Sequence, residues 1–568
     1  MSSLCGNLTS IKHEAVVAIR ECNLRGLTKS AKWAAELSFC LDQIAVPDNL
    51  LFTQPSKELV SEYDRYVLAK NYFDMKEYDR AAFFIQSCSE PQVYFLHMYA
   101  RYLSTEKKRL DDATDDGGSY DVTDGEHLKG LRIELHKKYK AGELDGFCLY
   151  LYGVILKKMN LKREAVEVFV DALHKAPLNW ATWLELALLI TDKDMLNGLS
   201  LPDHWMRHFF LAHTYLELQL NEEALKMYQT LAEAGFSRST YVMAQIAVAY
   251  HNLRDVDQAV DSFSKLQKVD PYRLENMDTY SNLLYVKGMR ADLAHLAHHC
   301  CDIDKYRVET CCVIGNYYSI RNQHEKAVLY FQRALKLNPN YLSAWTLMGH
   351  EYVELKNTTA AIQAYRQAIE VNRRDYRAWY GLGQMYEILK MYSYCLYYYR
   401  QAQMLRPNDS RMVVALGEIY EKLERLQEAK KCLWKAHSIG DIEGTALIKL
   451  AKLYARLQEE EQAAAAFTEY IVETEKLGTE NYEEISQAYR YLAEYNLRHK
   501  NLEEAYFAAQ KCTEFMETRE EGKAYLKSIS QLRAQGLEGE SNTMDMATDS
   551  ETETPTLPRI RPQHLSFT

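Results

Sequence analysis

The chain is poor in glycine and proline, the residues that interrupt helices. It has 23 glycines and 11 prolines among 568 residues. Both residues disfavour a helix interior, glycine through its backbone entropy and proline through its missing N–H group. Long apolar runs are also missing, since none reaches about 18 residues, the length of a membrane span. We therefore expect a nearly all-helical chain without a membrane-spanning segment.

An excess of basic residues is missing as well. The chain has 68 lysines and arginines against 79 aspartates and glutamates, for a net charge of −11. Because phosphate backbones are bound by basic stripes, this balance disfavours a nucleic-acid partner. Residues 1–8 lack the charged-then-apolar pattern of a secretory signal. The 12 cysteines are therefore expected to be reduced thiols in the cytosol or nucleus, where they serve as small core residues.

The motifs of common catalytic sites are absent. The sequence contains no glycine-rich phosphate loop, no nucleophile elbow and no HExxH motif. His295 and His299 have the i, i+4 spacing of a shared zinc. However, Ala297 and Cys300 on the same helix occupy packing positions, and no second ligand pair has finger-like spacing. We predict no metal, no cofactor and no enzymatic activity, because helix packing leaves no stretch long enough for a catalytic domain.

The stretch from Val308 to Lys476 repeats one pattern five times, at an interval of about 34 residues, the tetratricopeptide period. Small residues recur where two antiparallel helices approach closely, and large residues recur where they fill the space between pairs. The small positions are Gly315, Gly349, Gly383, Gly417 and Ala451, then Ala327, Ala361, Cys395, Ala429 and Ala463; the large ones are Tyr318, Tyr352, Tyr386, Tyr420 and Tyr454, then Phe331, Tyr365, Tyr399, Leu433 and Phe467. We therefore predict an all-α fold, a right-handed superhelical solenoid of tetratricopeptide repeats (TPRs) built from antiparallel helix pairs.

Weaker copies of the pattern flank this array and divide the rest of the chain. We predict N-terminal TPR helices (1–106), a flexible acidic insertion rich in Asp and Gly (107–126), a middle TPR array (127–307), five consensus TPRs with a peptide-binding groove (308–477), a last TPR with a capping helix (478–534), and a disordered tail rich in Ser, Thr, Glu and Pro (535–568). Thr554, which precedes Pro555, is a minimal proline-directed phosphorylation site.

The first helices of stacked pairs line a concave groove, with positions two, five, nine and twelve of each repeat facing inward. Asn316 is placed to hold a peptide backbone through two hydrogen bonds. Because carboxylates outnumber arginines at these positions, we predict an extended peptide that carries at least one arginine. The candidate contacts are Asn316, Glu309, His350, Tyr380, Gln384 and Glu387, together with Glu351 beside His350.

Several segments go beyond the generic repeat, because residues between the repeat positions match one family as well. These segments are EYDRAAFFI (77–85), LSLPDHWM (199–206), ENMDTYSNLLYV (275–286), YRVETCCVIGNYYS (306–319), AWTLMGHEYVE (344–354) and RDYRAWYGLGQMYEILKM (374–391). Over residues 10–530 the chain resembles the subunit-eight family of the anaphase-promoting complex or cyclosome, the cell-division-cycle TPR proteins of that ubiquitin ligase.

The resemblance implies a non-catalytic scaffold in a large RING-type ubiquitin ligase of the nucleus and cytoplasm, active in mitosis. It implies a homodimer made by the N-terminal repeats, and a C-terminal superhelix that engages neighbouring TPR and scaffold subunits. It further implies binding of the C-box, an arginine-bearing segment of the coactivators that recruit mitotic substrates. Carried over by motif, Asn316 in GNYY and Glu351 in GHEY match the family's polar contacts to the C-box.

Two other functions stay open from the residues. A co-chaperone-type adaptor that binds acidic C-terminal peptides needs basic residues at groove positions two, five and six, plus asparagines. Asn316 and Arg377 fit this adaptor, but Cys312, Leu347 and Gly381 replace the remaining residues that it needs. A repeat-bearing glycosyltransferase or phosphatase would need a catalytic segment, which this sequence lacks.

Overall fold

A computed structural model describes residues 8–46, 57–88, 90–115, 128–441, 444–477 and 482–540. Helices form most of these residues, and no strand occurs among them. The chain divides into two compact units, Met1–Lys305 and Tyr306–Thr568. This division falls two residues before Val308, where the predicted consensus array begins.

The described helices follow one another as antiparallel pairs. The first unit contains α1 (Leu8–Leu24), α2 (Thr28–Cys40), α3 (Lys57–Asp74), α4 (Tyr78–Phe84), α5 (Pro91–Asp115), α6 (Lys129–Ala141), α7 (Gly146–Lys158), α8 (Lys162–Lys175), α9 (Trp180–Ala187), α10 (Lys193–Asn197), α11 (Met206–Glu217), α12 (Asn221–Leu231), α13 (Thr240–Leu253), α14 (Val256–Val269), α15 (Met277–Val286) and α16 (Arg290–Ile303). The second contains α17 (Val308–Ser319), α18 (His324–Leu337), α19 (Leu342–Glu354), α20 (Thr358–Val371), α21 (Tyr376–Ile388), α22 (Tyr392–Leu405), α23 (Ser410–Lys422), α24 (Leu426–Ile439), α25 (Thr445–Arg456), α26 (Glu460–Leu477), α27 (Tyr482–Arg498), α28 (Leu502–Glu514) and α29 (Arg519–Glu540).

The periodic glycines lie where the two helices of a pair cross. A Cβ atom at Gly315 would lie 2.5 Å from a ring carbon of Phe331, and one at Gly349 would lie 2.5 Å from a ring carbon of Tyr365. Both distances are far inside van der Waals contact, so a side chain at these glycines would force the helices apart. The predicted register and the TPR fold class are therefore confirmed.

A residue in the left-handed conformation closes each turn between the paired helices of the array. These residues have φ between +57° and +62° and follow one another at the repeat interval: Asn322, Lys356, Lys390, Glu424 and Gln458. The N–H of the following residue donates to the carbonyl of the repeat's tyrosine, as Gln323 N does to Tyr318 O at 3.0 Å. This bond satisfies a carbonyl that the helix end leaves open.

The N-terminal pair, α1 and α2, packs on the first helices of later pairs in the same unit. Trp33 of α2 stacks on Trp180 of α9, with ring centroids 4.2 Å apart and an angle of 8° between the rings. Tyr241 of α13 meets Trp33 edge-on at 5.9 Å. Within α1, Glu14 Oε2 accepts from Nε1 of Trp205, the residue before α11, at 2.7 Å. The pair therefore covers the surface that first helices of a solenoid leave free.

The first part of the predicted flexible insertion, residues 107–115, is helical instead. Helix α5 continues to Asp115, so residues 107–115 are helical. Lys108 Nζ lies 3.0 Å from Asp79 Oδ2, and Lys158 Nζ lies 3.0 Å from Glu106 Oε2, so this end of α5 is tied to helices on two sides. Local composition does not reveal these contacts, since both partners lie far away in the sequence. Residues 116–127 lie outside the described residues.

Residues 535–540, predicted to belong to the disordered tail, are helical instead. Helix α29 continues to Glu540, past Gly536 and Gly539. A single glycine costs a helix about 1 kcal/mol relative to alanine, which does not end a helix whose other residues favour it. Residues 541–568, which include Thr554, lie outside the described residues.

The cysteines of the described chain are free thiols, and most are buried. Burial raises the pKa of Cys22 to about 12 and that of Cys300 to about 12. Such thiols stay protonated near neutral pH and pack as small apolar side chains. Among the described helices, none combines the length and the apolar character that crossing a membrane requires.

Candidate functional site

Helices α17, α19, α21 and α23 present repeat positions two, five, nine and twelve on one side, because these positions share a helix face. We call this side of the second unit the first-helix surface. The predicted site residues differ in how far they reach the solvent. His350 and Gln384 are exposed, Glu309, Tyr380 and Glu387 are half-buried, and Asn316 and Glu351 are buried.

Glu351 is held between two helix pairs rather than standing free. Its side chain is 6% exposed. Ser319 Oγ donates to Glu351 Oε1 at 2.7 Å, and His324 Nδ1 lies 2.8 Å from Glu351 Oε2. Both carboxylate oxygens therefore have a partner in the chain, although each retains a second lone pair that can accept. The role of Glu351 in binding a ligand stays a prediction.

Asn316 lies on the same side of α17 as Ser319, three residues earlier. Its side chain is 3% exposed. Asn316 and Glu351 are thus less accessible than repeat position alone suggests, and a peptide that reaches them has to enter between side chains. The proposed hydrogen bonds of Asn316 to a peptide backbone also stay a prediction.

His350 and Asp375 lie at the junction of the second and third repeats of the array, where Asp375 acts on His350 electrostatically. Tyr365 Oη lies 2.8 Å from His350 Nδ1. The surrounding protein, and then Arg377, lower the pKa of His350. Asp375 Oδ1 accepts from the N–H of Arg377 at 3.1 Å, whereas the buried Asp375 Oδ2 has no hydrogen-bond partner among the described residues.

Tyr380 and Glu387 are joined through Tyr399. The rings of Tyr380 and Tyr399 stack with centroids 5.2 Å apart, and Tyr399 Oη donates to Glu387 Oε2 at 2.9 Å. Lys422, from the next pair, contacts the other Glu387 oxygen at 2.5 Å. The site residues therefore do not form one cluster, since Glu351, His350 and Glu387 each belong to a separate group at successive repeat junctions.

Cations of the following helix pair neutralise carboxylates of the first-helix surface. Lys422 pairs with Glu387, Lys449 with Glu418, and Arg456 with Glu421. These cations occupy repeat positions six and thirteen, which the count of groove charges did not include. The inferred acidic excess is therefore smaller than the sequence predicts, and an arginine-bearing peptide meets fewer free carboxylates.

The side chains in two groups of potential metal ligands contact other residues of the chain through ring stacking, hydrogen bonds and ion pairs. The rings of His295 and His299 stack at 6.2 Å, and His299 Nε2 lies 2.7 Å from the carbonyl oxygen of Pro271. His437, Glu469 and Glu473 bring their ligand atoms within 4.8 Å of one another on α24 and α26. His437 Nε2 lies 3.8 Å from Glu469 Oε1, which is the distance of an ion pair.

Sequence reasoning missed the residues that hold the site in place. His324 and Lys422 were not among the predicted site residues, yet they contact Glu351 and Glu387. Asp375 was also missed, and its buried oxygen without a partner is the feature that singles it out. The repeat register could have indicated Lys422, since Arg456 lies one repeat later and makes the equivalent ion pair.

Family models match both units of the chain. A family model described as "Anaphase promoting complex subunit 8 / Cdc23" matches residues 10–247. Models of the tetratricopeptide repeat match residues 241–273, 308–341, 349–388 and 410–439. The match at 308–341 has the same bounds as the first repeat of the predicted array.

The chain is 40% identical over 409 residues to "Anaphase-promoting complex subunit 8" of Dictyostelium discoideum, and the match covers 62% of this chain and 69% of that protein. The chain belongs to the anaphase-promoting complex subunit 8 family. It is also 58% identical over 301 residues to "Cell division cycle protein 23 homolog" of Bos taurus, which covers 52% of this chain and 50% of that protein. It thus spans about half the length of its bovine relative.

The fold of this chain is similar to that of a solved structure with lower sequence identity. The structure titled "Crystal structure of APC/C hetero-tetramer Cut9-Hcn1" matches with a TM-score of 0.50 and 16% sequence identity. The match covers 84% of this chain and 96% of that chain. At this identity the likeness supports the TPR fold alone.

Proposed function

We propose that this protein is a non-catalytic scaffold subunit of an anaphase-promoting complex in the nucleus and cytoplasm. In this role it holds neighbouring TPR and scaffold subunits and binds the C-box of a coactivator, so that mitotic substrates are ubiquitinated by other subunits. Membership of the subunit 8 family supports this proposal. The side-chain chemistry of the first-helix surface, which is made of hydrogen-bonding and aromatic groups, suits a peptide ligand rather than a reaction.

The anchored carboxylate of Glu351 carries the C-box assignment. Two hydrogen bonds, from Ser319 and His324, hold the carboxylate in one orientation before a ligand arrives. Each oxygen can accept one further bond, and an arginine guanidinium offers several donors in a planar fork. A preoriented acceptor loses little freedom on binding, so it favours affinity. The neighbouring Asn316 would then bond to the backbone of the peptide.

A homodimer through the N-terminal repeats is part of the same proposal. Met75 and Phe83 are each 73% exposed at the turn and second helix of the α3–α4 pair. Phe83 also meets Phe84 edge-on, with ring centroids 5.5 Å apart. Exposed apolar side chains that lie close together are typical of protein interfaces. We therefore place the contact with a second copy on this pair.

Peptide binding to the full-length protein tests the C-box assignment. The labelled C-box peptide, its variant with arginine replaced by citrulline, and an acidic C-terminal peptide are titrated in parallel. We expect binding of the C-box peptide, and weaker binding of the citrulline variant because citrulline lacks the charge. Binding of the acidic peptide alone would instead support the co-chaperone-type adaptor.

A pair of matched substitutions locates the site. Glu351→Gln removes the negative charge and retains the shape, and it is expected to weaken C-box binding about tenfold, equivalent to about 1.4 kcal/mol. Glu418→Gln makes the same change on the same surface, where the carboxylate already pairs with Lys449, and it should leave the affinity unchanged. Equal affinities for both variants would contradict the assignment of Glu351. Circular dichroism melts show whether both variants are folded.

Light scattering of the full-length protein tests the dimer. Phe83→Glu is expected to reduce the mass to that of a monomer, because a charge would be buried at the contact. The control is Ile133→Glu, which changes another apolar side chain, 70% exposed, on α6. A dimeric mass for Phe83→Glu would contradict this placement of the contact.

A further inference from the structure

The outer face of α22 exposes three large side chains in a row. Tyr394 is 55% exposed, Tyr397 is 54% exposed and Met404 is 70% exposed. With Gln401 they are spaced i, i+3, i+7 and i+10, the spacing of a seam between two packed helices. We call Tyr394, Tyr397 and Met404 the outer seam.

Packing of the repeat does not require large side chains at these positions. The other four pairs of the array provide an internal comparison, because the same repeat positions recur in each. These positions hold Lys326, Leu329 and Lys336; Ala360, Gln363 and Glu370; Glu428, Lys431 and Ser438; and Gln462, Ala465 and Val472. All four pairs fold into the same hairpin without aromatic residues there. The outer seam is therefore a departure of the third pair alone.

Neighbouring rings hold the two tyrosines of the outer seam in place. Tyr394 stacks on Tyr386 with centroids 5.5 Å apart, and Tyr386 stacks on Tyr398 at 5.1 Å with an angle of 2°. Tyr397 contacts Trp379 at 6.4 Å. Aromatic side chains that are already fixed lose little conformational entropy when a partner covers them, and they are enriched in the residues that dominate binding energy.

The border of the outer seam is basic, although the whole chain has a net charge of −11. Helix α22 contains no acidic residue. Arg366 and Arg400 are exposed, and they donate to tyrosine hydroxyls, Arg366 to Tyr386 at 2.9 Å and Arg400 to Tyr420 at 2.6 Å. Neither forms an ion pair with a carboxylate in the part of the chain that the structure describes. Lys390 adds an exposed cation in the turn before α22, whereas Glu370 is the exposed carboxylate of α20.

We propose that the outer seam binds an acidic amphipathic helix of another protein. The partner's apolar side chains would pack between Tyr394, Tyr397 and Met404, because an exposed seam at helical spacing accepts a helix with the same spacing. Its acidic flanks would face Arg366 and Arg400, since opposite charges attract at the border of an interface.

A second copy of this chain fits the outer seam less well than a different protein does. Two copies would bring Arg366 and Arg400 of one chain against the same arginines of the other, and like charges that face each other oppose association. The C-terminal residues 541–568 show no apolar periodicity of a helix. The partner is therefore a separate chain. This surface is distinct from the first-helix surface, so the inference does not depend on the C-box assignment.

The test uses two designed peptides that differ only in charge. Both are helical peptides of three heptads with leucine at the seam positions; one has glutamate at the flanking positions and the other has lysine. Each is labelled and titrated with the full-length protein by fluorescence anisotropy. We expect the glutamate peptide to bind at least about tenfold more tightly than the lysine peptide, and its affinity to fall with added salt.

Substitutions on matched positions locate the binding. Tyr397→Ala is expected to weaken binding of the glutamate peptide by about tenfold or more, as loss of an aromatic anchor does. Leu329→Ala is the control, because Leu329 occupies the same repeat position in the first pair and is 59% exposed. It should leave the affinity unchanged. Binding of the C-box peptide should be the same in both variants, which separates a failure here from a failure at the first-helix surface.

Four outcomes would overturn the inference. The first is equal affinity for the glutamate and lysine peptides, and the second is an unchanged affinity of the folded Tyr397→Ala variant for the glutamate peptide. The third is tighter binding of the glutamate peptide after removal of residues 541–568, which would show that this segment occupies the outer seam. The fourth is self-association that Tyr397→Ala abolishes, since the partner would then be a second copy. Melting curves of both variants confirm that each is folded.

Discussion

Gly383 shows how one atom determines the approach of two helices. A Cβ atom there would overlap the ring of Tyr399 on the facing helix. The ring is itself held by the stack with Tyr380 and the hydrogen bond to Glu387. It therefore cannot move aside without loss of these contacts. Sequence periodicity was enough to predict this crossing, because a small residue, glycine or alanine, recurs at this position of each repeat.

Gly383→Ala is expected to destabilise the protein by about 1–3 kcal/mol, because overpacking strains the pair. The control is Gly130→Ala on α6, where a Cβ atom meets nothing within 4 Å. Alanine there should raise the free energy of unfolding by up to about 1 kcal/mol, as expected for a helix. Urea unfolding of the two variants measures both values. The helix crossing at Gly383 would be contradicted if both variants changed the free energy of unfolding by the same amount, or if Gly383→Ala were more stable than the parent.

The surroundings of His350 make the stability of the folded protein depend on pH. Its pKa in the folded chain is lowered from the ordinary 6.5, first by the surrounding protein and then by Arg377. The native state therefore binds fewer protons than the unfolded state. Its contribution to stability is complete above pH 6.5 and is lost as the pH falls from there toward the lower, folded pKa.

We expect His350→Asn to reduce this pH dependence, since asparagine does not titrate and can still accept from Tyr365. The free energy of unfolding is measured at pH 7.5 and pH 5.0 for the parent and the variant. The parent should lose more stability between the two values than the variant does. The same loss in both proteins would mean that other groups cause the acid sensitivity.

Glu351 marks the limit of residue-by-residue prediction at the candidate site. The repeat and the family motif both pointed to it, and neither indicated that Ser319 and His324 occupy its two oxygens. For this reason a charge reversal such as Glu351→Lys would bury a cation beside His324, and it would test stability more than binding. Glu351→Gln is the more informative change.

At the scale of elements, neighbouring pairs are joined by one recurring contact. The residue at repeat position 25, in the second helix of a pair, bonds to the tyrosine at repeat position 11 of the next pair. Gln332 Nε2 donates to Tyr352 Oη at 3.2 Å, and Arg400 donates to Tyr420 Oη at 2.6 Å. Because a solenoid is stabilised by contacts between adjacent repeats, this bond contributes to the coupling of one pair to the next.

A double-mutant cycle between Arg400→Met and Tyr420→Phe tests this coupling. Methionine retains the apolar length of arginine, and phenylalanine retains the ring, so the cycle isolates the hydrogen bond. We expect a coupling energy of about 0.5–1.5 kcal/mol from urea unfolding. Additive effects of the two substitutions would show that the bond contributes nothing to the junction.

The ends of elements were predicted less well than their centres. The five consensus pairs lie where the periodic residues place them, because each pair satisfies the same local pattern. Helices α5 and α29 extend beyond their predicted ends, to Asp115 and Glu540. For α5 the reason is tertiary, since Lys108 and Glu106 pair with residues of other helices. The composition of a segment does not show which other helices it contacts, so it could not predict where these helices end.

At the scale of the whole molecule, the N-terminal pair gives the first unit contacts that a simple repeat array lacks. Ser30 Oγ lies 3.0 Å from the N–H of Ala181, and Lys32 Nζ lies 2.5 Å from Glu275 Oε1. Such contacts join residues more than a hundred positions apart. Because of these contacts, α1 and α2 belong to the same cooperative structure as α9–α15. A terminal pair of a simple repeat array would contact only the adjacent pair.

Trp33→Ala is expected to loosen α9 and α13 as well as α2, because Trp33 packs on Trp180 and Tyr241. Loss of a buried tryptophan costs about 3–5 kcal/mol. Hydrogen exchange with mass spectrometry measures the effect, and we expect faster exchange in peptides from residues 180–187 and 240–253. Peptides from α27 and α28 in the second unit are the internal control. Faster exchange confined to residues 28–40 would contradict this coupling.

The sequence by itself determined the fold class, the register of the array and the family, because each depends on residues that recur at fixed positions along the chain. Only the tertiary structure decided which charged residues remain available for a ligand. Lys422 and Arg456 reach back to the preceding pair, and α2 covers the first helices of its own unit. The physical reason is that accessibility and charge pairing depend on distances between segments remote in sequence, whereas helix pairing depends on the pattern within each repeat.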